Sequence, residues 1–208
     1  MATLKEAFSH GYDKEKLRAA LAAGADPNEI VDAEGNPALI HLCHRTFASR
    51  LELMELLLQA GADPDIKDKK GRAVLHHAAA SSIGTDHGTE IIALLTKYKA
   101  NINVPNNLGD TPLHIAGDSC LRGYGTKNLI AVLNAGADIE RRNNSGQTAL
   151  EAMVATRKTA AAKENVQKIF NKYAARQLAL QKDHARDTQL QLKSLARKGT
   201  GFQLKKKP

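Results

Sequence analysis

Four glycines, Gly35, Gly71, Gly109 and Gly146, recur at intervals of 36, 38 and 37 residues, and this period constrains the fold more than any other feature. A leucine follows each of them at Leu39, Leu75, Leu113 and Leu150. A second glycine series opens Gly-Ala-Asp at Gly24, Gly61 and Gly136, with Lys99-Ala100-Asn101 filling the remaining slot. Glycine at the end of an apolar stretch suits the left-handed residue that terminates a helix. Self-similarity at such a period marks stacked supersecondary units, each burying its apolar face against its neighbours.

The best-preserved unit reads LGDTPLHIA over residues 108–116. Thr111 suits a helix N-cap, where its hydroxyl satisfies a first-turn donor. Pro112 fits the first helical turn because its missing N–H costs nothing there. Leu113 and Ala116, three apart, share one face. This stretch resembles the signature of ankyrin repeats, Thr-Pro-Leu-His followed by an apolar and a small residue.

The resemblance implies an all-α fold with short β-hairpin loops, an ankyrin-repeat solenoid of about five helix-turn-helix repeats. It assigns residues 1–174 to the repeats: a capping repeat over 1–28, then units near 29–66, 67–104, 105–141 and 142–174. Residues 175–208 form a basic helical or disordered tail.

The other units are degraded but in register. Thr3 and Glu6 are spaced as a capping box, and Thr148 and Glu151 are spaced alike. Leu4, Ala7 and Phe8 make one apolar stripe, and Leu17, Ala20 and Leu21 the next. Ile40 stands in place of the signature histidine in the second unit, whereas the third keeps His76 without the Thr-Pro pair. In the family, His76 and His114 are structural hydrogen-bonding residues. From signature leucine to turn the three central units take 22, 24 and 23 residues, against about 19 in the common unit. The excess falls between the helices, around RTFAS, SSIGTDHGTE and GDSCLRGYGTKN. It either lengthens helices and solvated loops or builds an added edge, with His87, Arg122 and Tyr124 as contact candidates.

The net charge of +8 over 208 residues is unevenly placed. Residues 175–208 carry nine basic and two acidic side chains, so the tail holds +7 and the body +1. Leu178, Ala185 and Leu192 repeat every seven residues, but Gln181 and Thr188 leave the seam thin. Gly199 and Gly201 are expected to end the tail helix, and the terminal lysines to be disordered.

No window is apolar enough to span a bilayer, and the first residues lack the apolar segment of a secretory signal. Two distant cysteines, Cys43 and Cys120, fit a reducing compartment and no disulfide framework. Four Phe, four Tyr and no Trp are a poor supply for base stacking. No catalytic constellation emerges. His41 and Cys43 would point roughly 200° apart on a helix, and no second ligand pair completes a metal site. Cys120 reads as an inert loop cysteine, and the RGYG glycines match no phosphate loop. The expectation is therefore no enzyme, no cofactor and no metal.

What the resemblance implies is a protein-binding module whose concave face combines hairpin tips and first helices. The contact residues expected there are His41, Arg45, Lys69, Lys70, Arg72, His77, Leu108, Asp110, Ile115, Arg141 and Arg142. Positive tips beside Leu108 and Ile115 suit a protein partner with an acidic rim around an apolar anchor. A monomer is expected in the cytoplasm, with delivery into a host cell as a bacterial effector within the same reading, and an inhibitor or immunity-type binder equally compatible. The alternative function class is nucleic-acid association through the basic tail.

Overall fold

The computed structural model describes residues 3–9, 11–81, 86–122, 126–155 and 159–197. Tyr124, Gly199, Gly201 and the terminal lysines lie outside these residues. The chain divides into two compact units, Met1–Gln167 and Lys168–Pro208.

Ten helices occur among the described residues. They are α1 (Leu4–Ser9), α2 (Lys14–Ala22), α3 (Ala38–Cys43), α4 (Arg50–Gln59), α5 (Val74–Ala80), α6 (His87–Lys97), α7 (Pro112–Leu121), α8 (Lys127–Asn134), α9 (Ala149–Ala155) and α10 (Ala160–Arg197). Up to α8 they pair in sequence order, and each pair stacks on the next. The first helices α3, α5, α7 and α9 pack in one row, and the second helices α2, α4, α6 and α8 in another. This is a helical repeat solenoid, as expected.

Between the rows lies a continuous apolar layer. Leu39, Leu75 and Leu113, the signature leucines, are at most 1% exposed, and Leu53, Leu57, Ile91, Leu95, Leu129 and Val132 close over them from the second helices. Each such side chain contributes about 1.5–3 kcal/mol by leaving water. Leu150 is only half-buried.

The Gly-Ala-Asp turns are copies of one backbone motif. Ala62 N–H donates to Leu57 O at 2.9 Å and Gly61 N–H to Leu58 O at 3.1 Å, the paired bonds of a Schellman cap. The same pair recurs at Ala25 and Gly24, at Ala100 and Lys99, and at Ala137 and Gly136. Gly24, Gly61 and Gly136 have φ of 89°, 92° and 93°, and Lys99 joins them at 60°, the one positive-φ non-glycine among the described residues.

The tail helix extends from the last repeat helix, and the two form a single helix, α10, of 38 residues. No glycine or proline interrupts residues 160–197 and no Gly-Ala-Asp follows the fifth repeat, so nothing stops propagation. Cys120 is not a loop residue but lies in the last turn of α7, half-buried, its thiol pushed up by burial. His87 is not an edge contact. It is 8% exposed and points inward, donating from Nε2 to Cys43 O at 3.0 Å while its Nδ1 meets Arg50 Nη1. Arg50 is 5% exposed and also reaches Arg45 O at 3.2 Å and Glu90 at 3.3 Å. The described part of the extra inter-helix sequence thus includes a buried polar pin between the second and third repeats. Arg122 stays exposed, paired with Asp118 at 2.7 Å.

Candidate protein-binding face

One side chain shapes each hairpin that leads into a first helix. Asp68 Oδ1 accepts from the backbone N–H groups of Lys70 and Arg72, both at 2.8 Å. Asn106 holds Leu108 and Asp110 at 2.8 and 3.0 Å, and Asn143 holds Ser145 and Gln147 at 3.0 and 3.1 Å. Asp32 holds Asn36 N–H at 2.8 Å. These Asx-turns replace the water that an isolated hairpin tip would need. A single β-bridge closes each of three hairpins, Ile30 to Pro37, Lys67 to Ala73 and Arg142 to Thr148.

Neighbouring hairpins are stitched together. Asn144 N–H donates to Leu108 O at 3.0 Å, and Asn144 Nδ2 to Asn107 O at 3.1 Å. Gly71 and Gly109, at φ of 70° and 77°, carry no side chain where Asn107 and Asn144 of the following hairpins approach. A Cβ would collide with both asparagines, so these two positions need glycine for space as well as for φ.

The signature histidine joins hairpin to helix. His114 Nδ1 accepts Thr111 N–H at 3.2 Å, the role that a glutamate or glutamine plays in a capping box, and lies 2.9 Å from the Thr111 hydroxyl. Its other nitrogen, Nε2, donates to Gln147 O of the next hairpin at 3.1 Å. His76 repeats this, accepting Ala73 N–H at 3.0 Å and donating to Asp110 O at 2.9 Å. A carboxylate can make the first bond but cannot donate the second. Accordingly Glu151 caps α9, accepting Thr148 N–H at 2.9 Å, while its other partner is Arg142 on the same hairpin at 2.7 Å. The box at Thr3 and Glu6 forms too, at 3.2 and 3.4 Å.

Two grooves open beside these tips. One, of about 310 Å³, is lined by Asp32, Glu34, Asn36, His41, His44 and Arg45. The other, of about 240 Å³, is lined by Asp110, His114, Ile115, Asp118, Asn143, Ala152 and Met153. Burial pushes the Asp32 carboxyl up, but hydrogen bonds from Asn36 and His41 outweigh it and bring the pKa down to about 2. Burial, reinforced by Arg72 and His44, drives His77 down to about 3, so its ring is neutral. Its Nε2 lies 3.2 Å from Asp68 Oδ2 without making a hydrogen bond, and that oxygen takes Arg72 Nε at 2.8 Å.

The family model for ankyrin repeats in three copies matches residues 46–143. Residues 46–143 are ankyrin repeats. Among curated relatives, the E3 ubiquitin-protein ligase KEG of Arabidopsis thaliana is 28% identical over 137 residues, 65% of this chain and 8% of KEG. The Neurogenic locus Notch protein of Drosophila melanogaster is 38% identical over 121 residues, 57% of this chain and 4% of its own length. An ankyrin repeat protein of Rickettsia felis is 39% identical over 70 residues, 34% of this chain and 17% of that protein. The chain therefore spans less than a fifth of each of these relatives. Ankyrin repeats generally mediate protein–protein interaction, and among the described residues no helix is long and apolar enough to cross a membrane.

On this ankyrin scaffold the expected contact residues sort into three groups. Lys69, Lys70, Leu108 and Arg141 are exposed on hairpin tips, Leu108 at 68%, and the three cations form no ion pair among the described residues. Arg45 is exposed at its groove, and Ile115 and Asp110 half-exposed at theirs. Arg72 and Arg142 are tied to Asp68 and Glu151, both at 2.7 Å. His41 and His77 are buried behind the tips, 8% and 6% exposed. Glu34, on a hairpin tip as the sequence pattern places it, lines the first groove, and His44 and Asp118, which the sequence reading missed, line the grooves too. The sequence does hold a signal for both: His44 and Asp118 each stand five residues after a signature leucine, in or just past the last turn of a first helix.

Proposed function

We propose that this ankyrin-repeat chain is a non-enzymatic interaction module that captures a protein partner on its hairpin tips and first helices. The observation that carries the reading is Leu108. It is a large apolar side chain left 68% exposed at a tip whose backbone is held by Asn106 and by Asn144 of the next hairpin. A leucine exposed on a rigid, stitched support gains nothing by burial inside the chain, whereas an apolar anchor on a pre-ordered surface lowers the entropy cost of binding. Lys69 and Lys70 on the preceding tip make a partner with an acidic rim around an apolar contact the best match.

Affinity capture from the native source tests it. Partners of the wild-type chain are compared with those of Leu108→Ser and of Lys69→Glu/Lys70→Glu. Arg72 is left in place because its loss would disturb Asp68 and the hairpin. A partner retained by wild type should dissociate at least about tenfold faster from Leu108→Ser and associate more slowly with the charge-reversed tips. Unchanged rates for both variants would move the binding surface elsewhere.

A further inference from the structure

The residues of α10 beyond Gln167 form a unit of their own, and their charges are arranged rather than scattered. Seven lysines and arginines occur between residues 168 and 197. At roughly 100° per residue, Lys168, Lys172, Arg176, Lys182 and Arg186 fall within about 120° of arc, and Lys193 and Arg197 continue the register. Lys172, Lys182 and Arg186 are exposed and form no ion pair among the described residues. Of the two acids in this stretch, Asp183 projects within the stripe, between Lys172 and Arg176, and Asp187 lies just beyond its Arg176 margin. From Lys168 to Arg186 it runs about 27 Å along the helix axis.

We propose that this stripe binds the phosphate backbone of duplex nucleic acid. A membrane surface would require an apolar face opposite the cations. Instead, the exposed leucines Leu178 (53%) and Leu190 (56%) stand about 120° apart round the helix, and Leu190 lies among the cations. An acidic protein helix would need an apolar seam, which the glutamines and threonine of this stretch interrupt. A linear polyanion needs neither. It needs cations at regular axial intervals, each meeting a different phosphate, and amide side chains that accept and donate alongside them.

Anisotropy of a fluorescent 30-base-pair duplex, titrated with the full chain from 50 to 200 mM salt, tests this. Five phosphate contacts give a slope of about −4.5 in log affinity against log salt, a roughly 500-fold loss over that range. Lys172→Gln/Lys182→Gln/Arg186→Gln should reduce the slope by about 2.7. A second variant keeps net charge and composition but moves cations off the stripe: Lys172→Gln with Gln177→Lys, and Arg186→Thr with Thr188→Arg. It should bind at least tenfold more weakly, at unchanged helicity by circular dichroism. Equal binding by this variant overturns the proposal, because charge alone, or the lysines beyond residue 197, would then suffice. Binding to phosphatidylserine vesicles more tightly than to the duplex overturns it in favour of a membrane surface.

Discussion

His41 Nδ1 lies 2.9 Å from Asp32 Oδ2, and His41 Nε2 lies 3.0 Å from the Tyr12 hydroxyl. The imidazole thus connects its own hairpin to the turn that joins α1 and α2. Tyr12 is stacked on Phe47 with ring centroids 4.5 Å apart, so the contact also reaches the linker after α3. His77, two residues after its signature leucine as His41 is, also lies beside the carboxylate of its own hairpin, 3.2 Å from Asp68, but without the hydrogen bond that His41 makes. Ile115 and Ala152 occupy that position in the repeats whose hairpins begin with Asn106 and Asn143. A polar ring accompanies a carboxylate, and an apolar side chain accompanies an amide.

Acid should therefore weaken the first half of the array before the second. The folded chain keeps His77 neutral down to about pH 3, whereas the unfolded chain takes up that proton near pH 6.5. Its contribution is complete above pH 6.5 and is lost as pH falls toward 3, a loss on the order of a few kcal/mol. Asp32, lowered to about 2, adds stability that is present above about pH 3.8 and lost as pH falls through 2. Melting temperatures from pH 7 to pH 3 should fall steadily, and His77→Gln should flatten the limb between 6.5 and 3. A wild-type melting temperature constant to pH 4 would contradict this.

Lys99→Gly should be neutral or stabilising, by up to about 1 kcal/mol. Lys99 holds φ of 60° in the turn where three other repeats place glycine, with the same two cap hydrogen bonds. Its exposed side chain sits where the other repeats manage without one. Thermal and urea melts of the single variant check this, and a clear loss of stability would mean that the lysine side chain supports the turn.

Removing the ring of His114 should cost about 2 kcal/mol, since the buried Thr111 N–H and the Gln147 carbonyl both lose their partner. His114→Gln should cost about half as much, because glutamine at this position can accept the Thr111 N–H but cannot span to the next hairpin at the same time. Urea unfolding of the two variants gives the ratio. Equal losses would mean that the bridge to the next repeat contributes nothing.

His87→Ala should destabilise by about 2–4 kcal/mol, well beyond an average substitution, because it strips a partner from a buried guanidinium. Arg50→Met combined with His87→Leu should recover most of that loss, since an apolar pair of similar volume leaves no unpaired charge. A double-mutant cycle in urea measures the coupling. Additive losses would show that the two side chains do not act as a pin.

Much of the repeat fold was legible because its determinants are local. Glycine at a positive φ, leucine on a helix face and Thr-x-x-Glu at a helix start are governed by backbone sterics and near neighbours, so Gly61, Leu113 and Thr148 carried their roles in the sequence. Lys99 showed its place through the spacing of its neighbours alone. What the sequence could not decide is which polar side chains remain available at the surface. His41, His77, Arg72 and Arg142 look like exposed contacts in a hairpin-and-helix pattern, yet His41, Arg72 and Arg142 are each taken up by a carboxylate of their own hairpin or first helix, and His77 is buried. Whether a cation faces solvent or pairs depends on side chains brought together by the turn, and in the case of Arg50 and His87 on residues 37 apart. Packing between repeats also turned an insertion that reads as a loop into a buried pin. Period and caps belong to the chain as written, and the exposed chemistry of its face belongs to the stack.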